Sequence, residues 1–209
     1  MDIRTISVGA LPTNCYILSS GGSLVVIDPG DDGDRIMSEL EKAGGDAAAV
    51  KAILLTHAHF DHTCAAGHLQ EKTGAPVFVG EGDAALLSDP GWMKPLMPDG
   101  VKPIIDVRTL REGDSVSFGD ASLTVWETPG HSPGSLTFLG AGPDAAHVAF
   151  CGDLIFRGGI GRTDLPGGDS SELGRSLSRV MELPDDTVVH PGHGAATTVG
   201  RERADNPFL

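Results

Sequence analysis

Residues 56–64 read THAHFDHTC, with three histidines and one aspartate between His57 and His62. The whole chain has only eight histidines. The stretch closes an apolar run, AILLT (52–56), whose residue types suit a buried strand. In extended backbone, residues two apart point to the same side. His57, His59 and Asp61 therefore fall on one side, and His62 needs a bend to join them. The helical pattern that follows supplies that bend. Imidazole and carboxylate together suit zinc, iron or manganese. Four such groups in six residues could serve one ion, but spacing this short usually does not surround it. Further ligands must come from other parts of the chain.

Three other stretches have the same build, a strand-like run ending in a glycine-flanked histidine or aspartate. They are ETPGHSPGS with His131, AFCGDLIF with Asp153, and VVHPGHGAAT with His193. Glycine lets the backbone turn sharply and approach an ion closely. Seven candidate ligands result, enough for two ions. One ion takes His57, His59 and His131. The other takes Asp61, His62 and His193. Asp153 bridges them, because a carboxylate offers two oxygens. Asp61 and Asp153 are also the candidate catalytic carboxylates.

The rest of the chain reads as a mixed sheet protein. Short β-branched runs recur at IRTISV, CYIL, SLVVIDPG, AILLTHAH, PVFVG, DSVSF, SLTVWETPGH, SLTFLG, HVAFCGDLIF and TVVHPGHG. Helical patterns lie between some of them. DGDRIMSELEKAG aligns Ile36, Leu40 and Ala43, with Gly44 as a stop. DHTCAAGHLQEKTG ends at Gly74. DSSELGRSLSRVMELP has an Asp or Ser cap and a face of Leu173, Leu177 and Val180. Several strands follow one another directly, so the class is α/β in the α+β sense, a sheet packed on helices. Residues 88–106 form the one long irregular stretch, and loops of that length are often functional. Trp92, Met93, Leu96 and Met97 within it suit either a core cover or an apolar lid. No linker divides residues 1–209, which read as a single domain.

Composition narrows the function classes. The formal net charge of −14 repels phosphate backbones and argues against a nucleic-acid partner. No stretch approaches the roughly 18 apolar residues of a membrane span, and the N-terminus has no signal-peptide pattern. Three cysteines, Cys15, Cys64 and Cys151, are too few and too scattered for a disulfide framework. The expectation is a cytoplasmic protein with buried thiols.

Taken together, THAHFDH, PGHSPGS, CGDLIF and PGHG, with VIDPG at 26–30, resemble the metallo-β-lactamase superfamily in both content and order. The resemblance spans nearly the whole chain and implies an αβ/βα four-layer sandwich with its metals at one rim. The bridging Asp153, GRTDLPGGD (161–169) and the tail TTVGRERADNPFL are most similar to compact glyoxalase II-like hydrolases without the C-terminal helical domain of the classical enzyme. The resemblance gives Asp28 a supporting hydrogen bond behind the metal loop. Arg162 either pairs with Asp164 structurally or meets an anionic substrate. His68 and His147 are read as structural or exposed, and His190 as structural or as support for the site.

The implied cofactors are two divalent ions, zinc first, with iron or manganese as alternatives. A hydroxide held between them attacks a carbonyl. The chain has one tyrosine, Tyr16, far in sequence from every metal motif, and few evident proton donors. A thiolate leaves without protonation, whereas an alkoxide or amine needs a general acid. The expected substrate is therefore a small-molecule (thio)ester, of the hydroxyacylglutathione type. The rival reading is a persulfide dioxygenase of the same superfamily. It resembles the chain in GRTD and would hold one iron with His57, His131 and Asp153.

Overall fold

Two six-stranded sheets dominate the computed structural model, which describes residues 1–44 and 46–209. The first sheet runs in order β1 (Asp2–Val8), β2 (Thr13–Ser20), β3 (Ser23–Ile27), β4 (Val50–Leu54), β5 (Val77–Gly80) and β6 (Val107–Leu110). The strands β1, β2 and β3 are antiparallel neighbours, and β3 to β6 pair in parallel. The second sheet begins with β7 (Ser115–Phe118), β8 (Ala121–Glu127), β9 (Leu136–Ala141) and β10 (His147–Gly152). A small hairpin of β11 (Ile155–Phe156) and β12 (Gly159–Ile160) intervenes. The sheet then continues from β10 to β13 (Val188–Pro191) in parallel and ends in β14 (Thr197–Thr198).

The helices are α1 (Gly33–Lys42), α2 (Phe60–Thr63), α3 (Ala66–Thr73), α4 (Ala84–Ser88), α5 (Ser170–Val180) and α6 (Val199–Asp205). Each central strand buries both faces, so its sequence reads as a continuous apolar run. On β2 and β3, Tyr16, Leu18, Val25 and Ile27 face the other sheet. They meet Phe118, Leu123, Val125, Phe138 and Phe150 there. The alternate residues Cys15, Ile17, Leu24 and Val26 pack against Ile36 and Leu40 of α1 and Leu69 of α3. On the far side, Leu173, Leu177 and Val180 of α5 and Val199 of α6 cover Cys151 and Val189. The layers are thus helix, sheet, sheet, helix, the αβ/βα sandwich that the family resemblance implies.

Each run read as a strand holds one. The helix expected over 61–74 differs, being split at Cys64–Ala65 into α2 and α3. α3 does end at Gly74, at φ 70°. α5 is capped by Asp169, whose carboxylate accepts from the Ser171 and Glu172 amides. The strands β6, β12 and β14 and the helices α4 and α6 lie outside the runs read from the sequence. Residues 91–96 form a 3-10 turn, and no regular element follows until Val107.

The topology positions the site. β3 and β4 are parallel in one sheet. In the other, β8 and β10 are both antiparallel to β9, and β10 is parallel to β13. The C-terminal ends of these five strands lead into the segments that carry Asp28, His57, His131, Asp153 and His193. Backbone hydrogen bonds join the sheets at this rim. Leu136 N donates to Thr56 O at 2.7 Å, and Asn14 N donates to Gly192 O at 2.7 Å.

Candidate metal centre

The seven candidate ligands converge at this rim. His57, His59, His62 and His131 are buried, and Asp61, Asp153 and His193 are partly so. Their donor atoms form three overlapping groups, each within 4.8 Å: His57, His59 and His131; His57, His62 and Asp153; and Asp61, His62 and His193. Asp153 stands between the outer two groups. Its Oδ1 lies 3.4 Å from His62 Nε2, and its Oδ2 lies 3.6 Å from both His131 Nε2 and His193 Nε2.

The local backbone differs from the extended path expected through Asp61. His59 is extended at φ −66°, ψ 145°, and α2 starts at Phe60. Asp61 and His62 therefore reach the site from the first turn of a helix. An extended strand would carry adjacent side chains to opposite sides, whereas this turn brings both to the same cluster.

Hydrogen bonds behind the imidazoles set their tautomers. His131 Nδ1 faces the Arg162 carbonyl at 2.8 Å, so it must carry the hydrogen. Its Nε2 lone pair is then free to point inward. His62 Nδ1 donates to Asp28 Oδ2 at 2.9 Å. Thr56 Oγ1 donates to Asp28 Oδ2 at 2.6 Å and meets His57 Nδ1 at 3.1 Å, where it acts as acceptor. Asp28 Oδ1 also accepts from Thr56 N at 2.7 Å. Asp28 adopts this position at φ 51°, a left-handed conformation that costs a non-glycine residue about 1–3 kcal/mol. Such support is typical of metal-binding histidines.

The residues fit a metal. His57 Nε2, His62 Nε2 and Asp153 Oδ1 are buried without a hydrogen-bond partner, and unpaired buried polar atoms are costly. His59 Nδ1 and His131 Nε2 face each other at 2.8 Å, so a cation or proton must reconcile their lone pairs. Burial, reinforced by neighbouring imidazoles, pushes His57 well below the ordinary histidine range and His59 down to about 4. Burial opposes charge on His62 too, but Asp28 and Asp153 override it and hold a proton there. Burial likewise disfavours ionised Asp61 and Asp153. The His193 hydrogen bond for Asp61, and His62 for Asp153, nevertheless keep them below the usual carboxylate range. The cluster attracts positive charge, and binding of ions would displace those protons.

Close backbone approach is essential at Gly192. A Cβ there would lie 2.2 Å from Asp153 Oδ1 and 2.7 Å from His62 Cε1. Gly192→Ala should leave a folded protein whose metal affinity falls by about 10- to 100-fold, as for damage to a ligand's support. Competition against a chromophoric chelator measures this, and unchanged affinity would mean the loop yields at no cost.

The remaining residues separate cleanly. The Arg162 guanidinium is exposed and bidentate to Asp164, at 2.6 and 2.7 Å. Its carbonyl, not its side chain, serves the cluster. His147 is exposed, and His68 is half-buried beside Asp34. His190 stacks on Phe150 at 4.8 Å, and burial lowers it to about 4, so it packs as a neutral ring. Tyr16, remote in sequence, lies next to the His193 loop. Its hydroxyl donates to Pro191 O at 2.6 Å, and its ring meets His190. Trp92 packs edge-on against His59 at 5.8 Å, while Met93 is buried and Leu96 is 53% exposed. A hollow of about 160 Å³ opens beside Asp61, lined by Leu11, Phe60 and Leu96. A larger one, of about 390 Å³, lies behind Ala58 and Phe60 and touches none of the seven candidate ligands.

All three cysteines are buried and free. Burial raises Cys64 and Cys151 to about 12 and Cys15 further still. Thiolate is the reactive form, so iodoacetamide should leave turnover unchanged. Rapid inactivation with metal retained would instead bring Cys64 or Cys151 into the chemistry. No helix among the described residues is long and apolar enough to cross a membrane.

Comparison with known proteins bears on the cluster. A family model described as the metallo-beta-lactamase superfamily matches residues 8–193. A Bacillus subtilis protein named "Probable metallo-hydrolase YqgX" is 36% identical, covering 100% of this chain and 98% of its own. Hydroxyacylglutathione hydrolase GloC of Haemophilus influenzae is 33% identical, again covering 100% and 98%. The crystal structure of TTHA1623 in a di-iron-bound form superposes with a TM-score of 0.85 at 40% identity, covering 99% of this chain and 100% of that one.

Proposed function

Because the chain belongs to the metallo-β-lactamase superfamily, we propose that it is a binuclear metallohydrolase that cleaves a small thioester of the hydroxyacylglutathione type. The observation that carries this reading is the set of inward-facing, unpartnered atoms on His57, His62 and Asp153 amid the other four donors. In this reading His57, His59 and His131 would hold one ion and Asp61, His62 and His193 the other, with Asp153 shared between them. Three carboxylates, Asp28, Asp61 and Asp153, balance most of the charge of two divalent cations. Zinc is the first choice by donor type, and the di-iron relative makes iron the second.

Bound there, the ions supply Lewis acidity, acidifying water to a pKa of about 7 and polarising a carbonyl. The protein's own residues do the rest. Asp28 and Thr56, and the Arg162 carbonyl, lock three imidazoles in the tautomer with Nε2 turned inward. Asp61, kept ionised and 3.3 Å from Thr13 Oγ1, is an acceptor that orients the attacking water. The hollow with Leu11, Phe60 and Leu96 suits an uncharged part of the substrate.

The thioester preference rests on proton donors. The Tyr16 hydroxyl is spent on Pro191 O, and the three thiols are buried. The relationship to GloC supports the same substrate class.

The test is metal analysis of protein purified without added metal, run alongside thioesterase and oxygen-uptake assays. Two ions per chain with hydrolysis of S-lactoylglutathione or a small thioester is the expected result. One iron, with oxygen consumed on a glutathione persulfide, would move the assignment to the dioxygenase.

A further inference from the structure

Asp83 lies outside every metal motif, yet it is fully buried, at 0% exposure. It ends the 3-10 turn Glu81–Asp83 that follows β5. Its charge is met by three hydrogen bonds. Oδ2 accepts from the Ala58 amide at 2.9 Å and the Ser132 hydroxyl at 2.7 Å. Oδ1 accepts from the Gly134 amide at 2.7 Å.

These partners belong to two different loops. Ala58 stands between His57 and His59. Ser132 and Gly134 follow His131. One carboxylate thus spans the loop from the first sheet and the loop from the second. The fit around it is tight. A Cβ on Gly134 would meet Asp83 N at 2.4 Å, and a Cβ on Gly80 would meet Gly134 O at 2.0 Å. A buried carboxylate without its donors is costly, so all three bonds are kept together. Among the described residues no such bond joins Asp83 to α2, which carries Asp61 and His62, or to the loop carrying His193.

We propose that Asp83 is a positioning residue that sets the spacing of His57 and His59 from His131, and so governs the affinity of the three-histidine metal position selectively. This rests on the two-ion reading above. A neutral residue cannot reproduce it. An asparagine in its place would turn an amide donor toward either the Gly134 amide or the Ala58 amide and Ser132 hydroxyl.

The experiment is a zinc titration of chelator-stripped protein by calorimetry. His131→Ala and His193→Ala identify which binding phase belongs to which position. In Asp83→Asn the phase lost in His131→Ala should weaken by about 10- to 100-fold, the range for residues that orient ligands. The phase lost in His193→Ala should stay within about twofold. Ser132→Ala removes one bond and keeps the carboxylate, so it should weaken the same phase by less. It also serves as the test if Asp83→Asn does not fold. Equal weakening of both phases, or no change in either, overturns the proposal. Binding of only one ion per chain by the unmodified protein would instead defeat the two-ion reading on which it rests.

Discussion

Asp153→Ala is expected to lose about a thousandfold or more in kcat/KM, equivalent to about 4 kcal/mol of transition-state stabilisation. Arg162→Ala should stay within a few-fold of the unmodified protein. Asp153 lies between the two outer donor groups, 3.4–3.6 Å from His62, His131 and His193. Its removal disturbs both, and it leaves His62 without one of the carboxylates that favour charge there. Arg162 supports the cluster through its carbonyl, which alanine retains, and its guanidinium is engaged with Asp164 in solvent. Metal content and steady-state kinetics of the two variants decide the matter. Two retained ions and normal turnover in Asp153→Ala would remove the bridging role. A large loss in Arg162→Ala would show that the guanidinium meets substrate.

The second large effect concerns the leaving group. With the acyl part held constant, a thioester should be cleaved about 10²- to 10⁴-fold faster than the matched alkyl ester or amide, the range that a missing general acid accounts for. A thiolate departs unprotonated. An alkoxide or amine needs a proton, and the tyrosine and the thiols that could give one are committed or buried. Tyr16 is held by Pro191 O, and the buried thiols are sequestered. The measurement is kcat/KM across the matched series under conditions where chemistry limits the rate. Equal values would mean that a donor exists at the site and that the thioester preference is wrong.

The candidate ligands are legible in the sequence because each stands at a strand end beside glycine or within one dense histidine motif. Local sequence carries both signals. The strands are legible because runs buried on two faces read as unbroken apolar stretches, whereas the layer order comes from the family resemblance and not from the runs. What escapes depends on distant partners. Asp83 sits in an ordinary GEGD turn, and its role exists only because Ala58 and Ser132 arrive 25 and 49 positions away. Tyr16 is remote from the motifs in sequence, yet its partner Pro191 is 175 positions along the chain. The support from Arg162 is a carbonyl, which any residue supplies, so no side-chain pattern could reveal it. The break between α2 and α3 is hidden because DHTCAAGHLQEKTG contains no proline and no glycine before Gly67 to mark it.

The rim where the two sheets meet also bears on how the chain acquires its native state. The candidate ligands at 57–62 must meet those at 131, 153 and 193, so the cluster closes only after contacts of long sequence separation have formed. Such contacts form slowly because their loop-closure entropy precedes their reward. Ions that bind only the finished arrangement act by mass action on the folded state. They belong to the part of the landscape beyond the main barrier, where added stability slows unfolding and leaves the folding rate nearly untouched. For this molecule, metal supply would set how long the native state lasts more than how quickly it is reached.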